Sequence, residues 1–354
     1  MNYKKLHFLI SIFAALALTV SSVSAQQPDV KNNRIGTAAA SELLIPVGSR
    51  AMAMAGATIA TTTGVNAIHW NPAGLGHMDA SAEGMFSTMS YIADITTNYG
   101  AIALNFGGFG KLAFSVKALD FGDIPLTTTD DPEGFAGRTF SPTFINVGLT
   151  YARQFTDAIA AGVNFKIISE SMQRVAGNGF AVDVGVQYHG VAGFDGVNLG
   201  VAIKNFGPRV NFDGTGLLRQ AQATDGRRPV QYYASEAGSF ELPSSVEIGL
   251  AYENKINDQL SWNVAGAYEN NNLALDGYKV GGEVSYNVGM SLALAGRAGI
   301  EANDKAADDA DIFGPSFGFG LTYMSPGVDI TIDYAYRSVD YFNNNNMFSI
   351  RLGF

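Results

Sequence analysis

Four histidines, 32 acidic residues and no cysteine limit the chemistry open to this 354-residue chain. A general base needs a nucleophile and an orienting partner within reach. His69 sits beside Trp70, His77 follows Leu75-Gly76, and His189 ends an apolar alternation, none in a His-x-x-x-Asp pattern. His69 reads as a packing or hydrogen-bonding residue, and no catalytic residue is assigned. Asp304, Asp308, Asp309 and Asp311 offer oxygen ligands of the kind calcium takes, but not at Asp-x-Asp-x-Asp-Gly spacing, and they read as a solvated acidic loop. Asp130-Asp131-Pro132-Glu133-Gly134 carries turn chemistry. Phe106-Gly-Gly-Phe-Gly110 follows one strand and opens another, so it is no dinucleotide fingerprint. Without Cys there is no thiolate metal site. No enzyme, metal or cofactor is expected.

The residues that remain of interest are apolar or paired by charge, so the elements that hold them come next. The chain has 41 Gly, 15 Tyr and 23 Phe with only 15% charged residues, and its net charge of −10 argues against nucleic acid as a partner. Lys4 and Lys5, an apolar run from Phe8 to Val20 and Val23-Ser24-Ala25 read as a signal peptide over residues 1–25, with Gln26 as the first mature residue. That run is too short to span a membrane as a helix. About fourteen segments then alternate apolar and polar residues with period two. The clearest are Phe348-Ile350-Leu352-Phe354, Phe317-Phe319-Leu321-Tyr323 and Val182-Val184-Val186-Tyr188, and the weakest lies around Met85 to Tyr91. Asp183, Glu247, Glu283, Asp329 and Asp333 fall on the opposite face with Lys117, Lys166, Lys204, Arg297, Arg337 and Arg351. Arg or Lys on a lipid-facing strand costs about 2–4 kcal/mol at mid-depth, so a membrane barrel with these charges inside accounts for the pattern.

This reading gives an all-β transmembrane barrel of about fourteen antiparallel strands over residues 80–354. Short turns such as Gly107–Gly110 and Ser325–Gly327 alternate with long links such as Gly122–Pro142 and Gly207–Pro243, which places the long links outside the cell. Gly207–Pro243 is the longest and contains Arg209, Arg219, Arg227 and Arg228. The chain ends on Phe354, read as the insertion signal for the barrel assembly machinery.

Residues 26–79 break the alternation and are expected to form a small helical plug inside the lumen. Ser49 is placed to cap a short helix over Arg50–Ala55, with Gly56 ending it in a left-handed conformation. A second helix over Val65–Trp70 stops at Asn71, because the residue before Pro72 is pushed out of the α region. Asn71, Pro72 and Gly74 are expected to make a rigid elbow near the wall, Gly74 by allowing backbone that a side chain obstructs.

The run Gly48-Ser-Arg50-Ala-Met52-Ala-Met54-Ala-Gly56, followed by Trp70-Asn71-Pro72-Ala73-Gly74, resembles the N-terminal signature of the PorV/PorQ outer-membrane family. That family is similar to the fatty-acid transporters of the outer membrane, whose hatch carries Asn-Pro-Ala. The shuttle subunit of type IX secretion tends to carry Lys where Gly74 stands here. The resemblance implies a fourteen-strand barrel with a luminal plug, in the bacterial outer membrane. It also implies either secreted proteins and type IX secretion components as partners, or passage of small hydrophobic ligands such as fatty acids past Met52, Met54 and Trp70.

Overall fold

The computed structural model describes residues 36–222, 229–273, 275–303 and 312–354. The leader, Arg227, Arg228, Asp304, Asp308, Asp309 and Asp311 lie outside the described residues.

Fourteen strands follow one another around a closed antiparallel barrel: β1 (Ala82–Ser90), β2 (Thr96–Asn105), β3 (Lys111–Asp120), β4 (Thr143–Gln154), β5 (Ile159–Met172), β6 (Val175–His189), β7 (Val197–Phe206), β8 (Ser245–Lys255), β9 (Leu260–Asn271), β10 (Gly277–Val288), β11 (Leu292–Asn303), β12 (Phe313–Ser325), β13 (Val328–Val339) and β14 (Asn345–Gly353). Each pairs with its sequence neighbours, and β14 closes the ring on β1 over Glu83↔Gly353 to Ser90↔Asn346. Closure leaves no unpaired edge for lipid to meet. The period-two reading corresponds to the two faces of the wall. Phe319, Phe348, Ile350, Val184 and Phe165 point outward and are exposed, while Asp183, Glu247, Glu283, Asp333 and Lys166 point inward and are buried. Among the described residues no helix is long and apolar enough to cross a membrane.

The weak alternation at Met85 is explained by its direction. On β1 it is Met85 and Met89 that face inward, against the plug, and Phe86 that faces out. The inward face mixes Met85 and Met89 with Glu83 and Ser87, so polarity marks it only weakly.

Connections at one end are short. At the other end lie the β3–β4 and β7–β8 links, but the β5–β6 link there is only a tight turn at Gln173–Arg174. Strands β5 and β6 are the longest, at 14 and 15 residues, and β1 and β14 have nine each. Above β6 the short strand Val210–Asp213 pairs with Ala176–Asn178 and carries Ser239–Phe240 on its other edge. Within the same β7–β8 link, Leu218–Ala221 and Gln231–Ala234 form a hairpin whose eight residues are all exposed.

Residues 36–81 lie inside the ring. From the outer end the chain descends through a 3-10 turn (Ser41–Leu44), α1 (Ser49–Ala53), a second 3-10 turn (Gly64–Asn66), α2 (Ala67–Trp70) and a third (Pro72–His77) before starting β1. These helices are too short to persist alone in water. Val47, Val65, Ile68 and Leu75 pack on Met85, Tyr99, Ala101 and Ala113 of the wall.

Candidate functional site

Among the described residues, those singled out in the motif converge on the plug and the wall it touches. Helix α1 begins at Ser49, but Ser49 does not cap it. Its Oγ bonds Ser349 Oγ at 2.7 Å and donates to Met347 O at 3.1 Å, both on β14. The hydroxyl joins plug to wall, and the helix stops at Ala53, two residues short of the expected end. Gly56 has φ +79°. Arg50 grips Glu283 of β10 with two hydrogen bonds of 2.9 Å. Arg297 of β11 bonds the same carboxylate and also Asp333 of β13, at 2.6 Å. Removing these charges from water is expensive, and the two-pronged geometry with shared partners is what offsets it.

Met52 and Met54 are both buried. Met52 sits among Met89, Leu119, Ala335 and Met347, and Met54 among Ala57, Ala60, Ala251 and Ala265. Trp70 Nε1 donates to Val47 O at 3.0 Å, and Lys204 Nζ stands 5.2 Å from the centre of its ring. Beside it, His69 is held well below the usual imidazole range by burial and then by the ammoniums of Lys117, Lys204, Lys166 and Lys279. The His69 ring is buried and meets the Trp70 ring edge-on at 5.1 Å.

The Asn71-Pro72-Ala73-Gly74 elbow rests on the wall at β5 and β6. Asn71 Oδ1 accepts from Ala73 N at 3.1 Å, and its Nδ2 donates to Ile59 O (3.0 Å) and to Val186 O of β6 (3.2 Å). Gly74 is required for space rather than for backbone freedom. It sits in a 3-10 turn, where a Cβ would lie 2.0 Å from Thr62 O and 2.8 Å from the Ala67 methyl. No longer side chain fits there.

A feature that the sequence reading passed over lies under the plug. Asn71 and Pro72 cover Gly162 of β5 and Gly185 of β6, which pair with each other. Ile59 and Ala60 cover Gly200 of β7 and Gly249 of β8, another pair, and Met54 and Ala55 cover the pair Gly281 of β10 and Gly299 of β11. A Cβ on Gly162, Gly185, Gly200, Gly281 or Gly299 would come within 1.9–2.6 Å of plug atoms. The plug backbone therefore lies directly on wall backbone at three places around the ring. Gln187, which donates to Ile59 O (2.9 Å) and Thr62 O (3.0 Å), and Glu83, which accepts from Val65 N (2.9 Å), lock the same stretch. Inward glycines paired across neighbouring strands are the signal that could have found this seat, but only once register is known.

Two cavities lie between the plug and the wall. A cavity of about 30 Å³ is lined by His69, Tyr99, Lys117, Asn146 and Lys166. Another of about 140 Å³ is lined by Arg50, Asn66, Glu283, Arg297, Thr331 and Arg351. Among the described residues no group of three or more His, Asp or Glu side chains could hold a metal ion. The chain also carries a Gly-x-Ser-x-Gly spacing at Gly314–Gly318, but it runs along β12, and Ser316 Oγ has no hydrogen-bond partner. A nucleophile elbow needs a strand-to-helix turn. At the chain end, Phe354 is exposed, and its backbone ties to Ser81 and Ala82 ahead of β1.

The family model described as "Type IX secretion system protein PorV" matches residues 27–225, more than half of the chain and the whole of the plug described above. The chain belongs to the PorV family. Like that family, it is an outer-membrane barrel of the transport and secretion class. No curated protein matches the chain. Solved structures with the same fold include the CymD monoaromatic hydrocarbon channel (13% identity, 88% of this chain and 98% of that one, TM-score 0.56). The Ralstonia pickettii toluene transporter TbuX (13%, 87% and 98%, TM-score 0.53) and the Pseudomonas putida toluene transporter TodX (13%, 87% and 97%, TM-score 0.52) are similar in the same way. At these identities the likeness is one of fold. The Asn71-Pro72-Ala73 elbow lies within the residues that the PorV model matches.

Proposed function

We propose that this PorV-family barrel serves protein secretion by docking secreted proteins or type IX secretion components on its outer loops while its lumen stays shut. The observation that carries this reading is the seating of the plug on three pairs of inward glycines, reinforced by the Arg50–Glu283 and Asn71 bonds. Met52, Met54 and Trp70 are buried in packing between plug and wall, which supports a closed lumen. The exposed outer hairpin with Tyr232 and Tyr233 offers surface to a partner protein. Export is taken to remove residues 1–25, and Phe354 is taken to mark the chain for the barrel assembly machinery. Lipid of the outer membrane covers the exposed apolar band.

A second reading is passive transport of small hydrophobic molecules. Its support is the fold shared with proteins described as monoaromatic hydrocarbon channels and toluene transporters. One experiment separates the two. The hairpin region 215–235 is replaced by a short Gly/Ser link, and both barrels are assayed for toluene entry into proteoliposomes and for delivery of secreted proteins to the cell surface. Docking predicts toluene entry no faster than in empty liposomes for either barrel, with surface delivery lost in the variant. Faster entry with the native barrel, and delivery unaffected by the replacement, would overturn docking in favour of transport.

A further inference from the structure

The outer part of the plug, residues 39–45, is held differently from the rest. Its apolar residues Ala39, Ala40 and Leu43 pack on Ile168, Ala181, Val210 and Leu242, and none of it lies on a glycine pair. Its polar ties converge on one place. Glu42 is 1% exposed and Glu170 of β5 is 4% exposed; the two carboxyl groups lie close enough to interact, and the Oε2 atom of each is buried without a hydrogen-bond partner. An ionised carboxylate only accepts, so two of them buried together can satisfy each other only through a proton.

The surrounding groups agree. Asn146 Nδ2 of β4 donates to Glu42 Oε1 at 3.1 Å, and Ala40 N donates to Glu170 Oε1 at 3.2 Å. Among the described residues, no other side chain or backbone group donates to the Oε2 atom of either acid. The charged group facing them is Lys117 of β3, whose ammonium caps Glu42 O and Ile45 O. Glu241, whose carbonyl accepts from Ala39 N, has its carboxylate on Arg209.

We propose that Glu42 and Glu170 share a single proton, and that this proton latches residues 39–45 of the plug to the barrel wall beneath the outer loops. Loss of the proton places two buried carboxylates against each other, and the segment detaches towards the outer end, freeing the Ala39 tie to the long β7–β8 link. The sign follows from the geometry. Burial raises Glu42 above the usual carboxylate range, against its bonds to backbone and Asn146 and the nearby Lys117, so the folded state holds a proton that the unfolded chain has released. The latch is therefore complete at low pH and is lost as pH rises.

The test uses the absence of Cys in the chain. Leu43→Cys, buried on the segment, and Ala136→Cys, exposed on the β3–β4 loop, are labelled separately with a membrane-impermeant maleimide at about pH 6 and about pH 9. The ratio of the two rates cancels the thiol's own titration. The ratio is expected to rise by about tenfold, the change one pKa unit of coupling gives. In Glu170→Gln the amide donates to the Glu42 carboxylate at every pH, so the ratio stays flat and low. A flat ratio in the native background, or an equal rise in Glu170→Gln, overturns the proposal. Ala39→Cys serves as a second reporter should Leu43→Cys fail to give a heat-modifiable barrel, and it is judged by the same outcomes.

Discussion

Replacing Gly185 by alanine adds one methyl group to the inner wall, yet it should unseat the elbow of the plug. The new Cβ would lie 1.9 Å from Asn71 Oδ1 and 3.0 Å from Pro72 Cδ. The carboxamide cannot swing aside without giving up its bonds to Ile59 O and Val186 O and the one it accepts from Ala73 N. At about 1 kcal/mol net for each hydrogen bond, the loss is about 3 kcal/mol. Gly84→Ala is the matched control. Gly84 faces outward with nothing within 4 Å, so a methyl there should be neutral or stabilise by up to about 1 kcal/mol through reduced chain entropy. The chain has two tryptophans, Trp70 in the plug and Trp262 in the wall, so Trp262→Phe leaves emission that reports the plug alone. Urea titration of the detergent-solubilised barrels in that background should show Gly185→Ala losing Trp70 burial first. Equal midpoints for Gly185→Ala, Gly84→Ala and the parent would refute the claim that plug and wall backbones are in contact.

Glu283→Ala leaves Arg50 and Arg297 facing each other without their shared carboxylate. It should destabilise the plug by about 3 kcal/mol, read from the same urea midpoint, and an unchanged midpoint would show that the pair is dispensable. Deleting Phe348–Phe354 removes most of the strand that pairs with both β13 and β1, so no heat-modifiable barrel should reach the outer membrane, and normal assembly would contradict this. His77 is pushed down to about 4 by burial, then by the His189 ring stacked on it at 4.1 Å and by Lys111. Its stabilisation is complete above the ordinary 6.5 and falls away as pH drops from 6.5 towards 4, so thermal stability should decline over that interval. The same decline in His77→Phe would assign it to other groups.

The strands were legible because a barrel wall sorts its residues by solvent. Val182-Val184-Val186-Tyr188 against Asp183 and Gln187 is a pattern that only a two-sided wall needs. Legibility failed wherever the plug changed the inner solvent. Met85 and Met89 face protein instead of water, so β1 lost its alternation. Ser49 carried a local capping signal, but its hydroxyl serves Met347 and Ser349, some 300 residues away in sequence. Arg50 was recognisable as part of a motif, yet its partner Glu283 is fixed by the stagger of ten strands, which no local spacing encodes. The elbow at Asn71 and Pro72 could be read because its hydrogen bond to Ala73 is local. The glycines beneath it could not, since Gly162 and Gly185 become a pair only through register.

The unequal strands give the barrel a front and a back. The turns at the inner end are short and level, so the extra length of β5 and β6 stands outward. Six residues beyond β1 or β14 amount to about 20 Å along the strand. At the usual tilt this is about 15 Å of height. The seam between β14 and β1 lies nearly across the ring from β6, so the rim slopes from a parapet down to a sill. The added strands Val210–Asp213 and Ser239–Phe240 broaden the parapet beside the outer end of β6. A body settling on such a rim cannot sit at an arbitrary azimuth. It leans against the tall side and overhangs the low one, so its bearing relative to the membrane is set by backbone length before any side chain has made a bond.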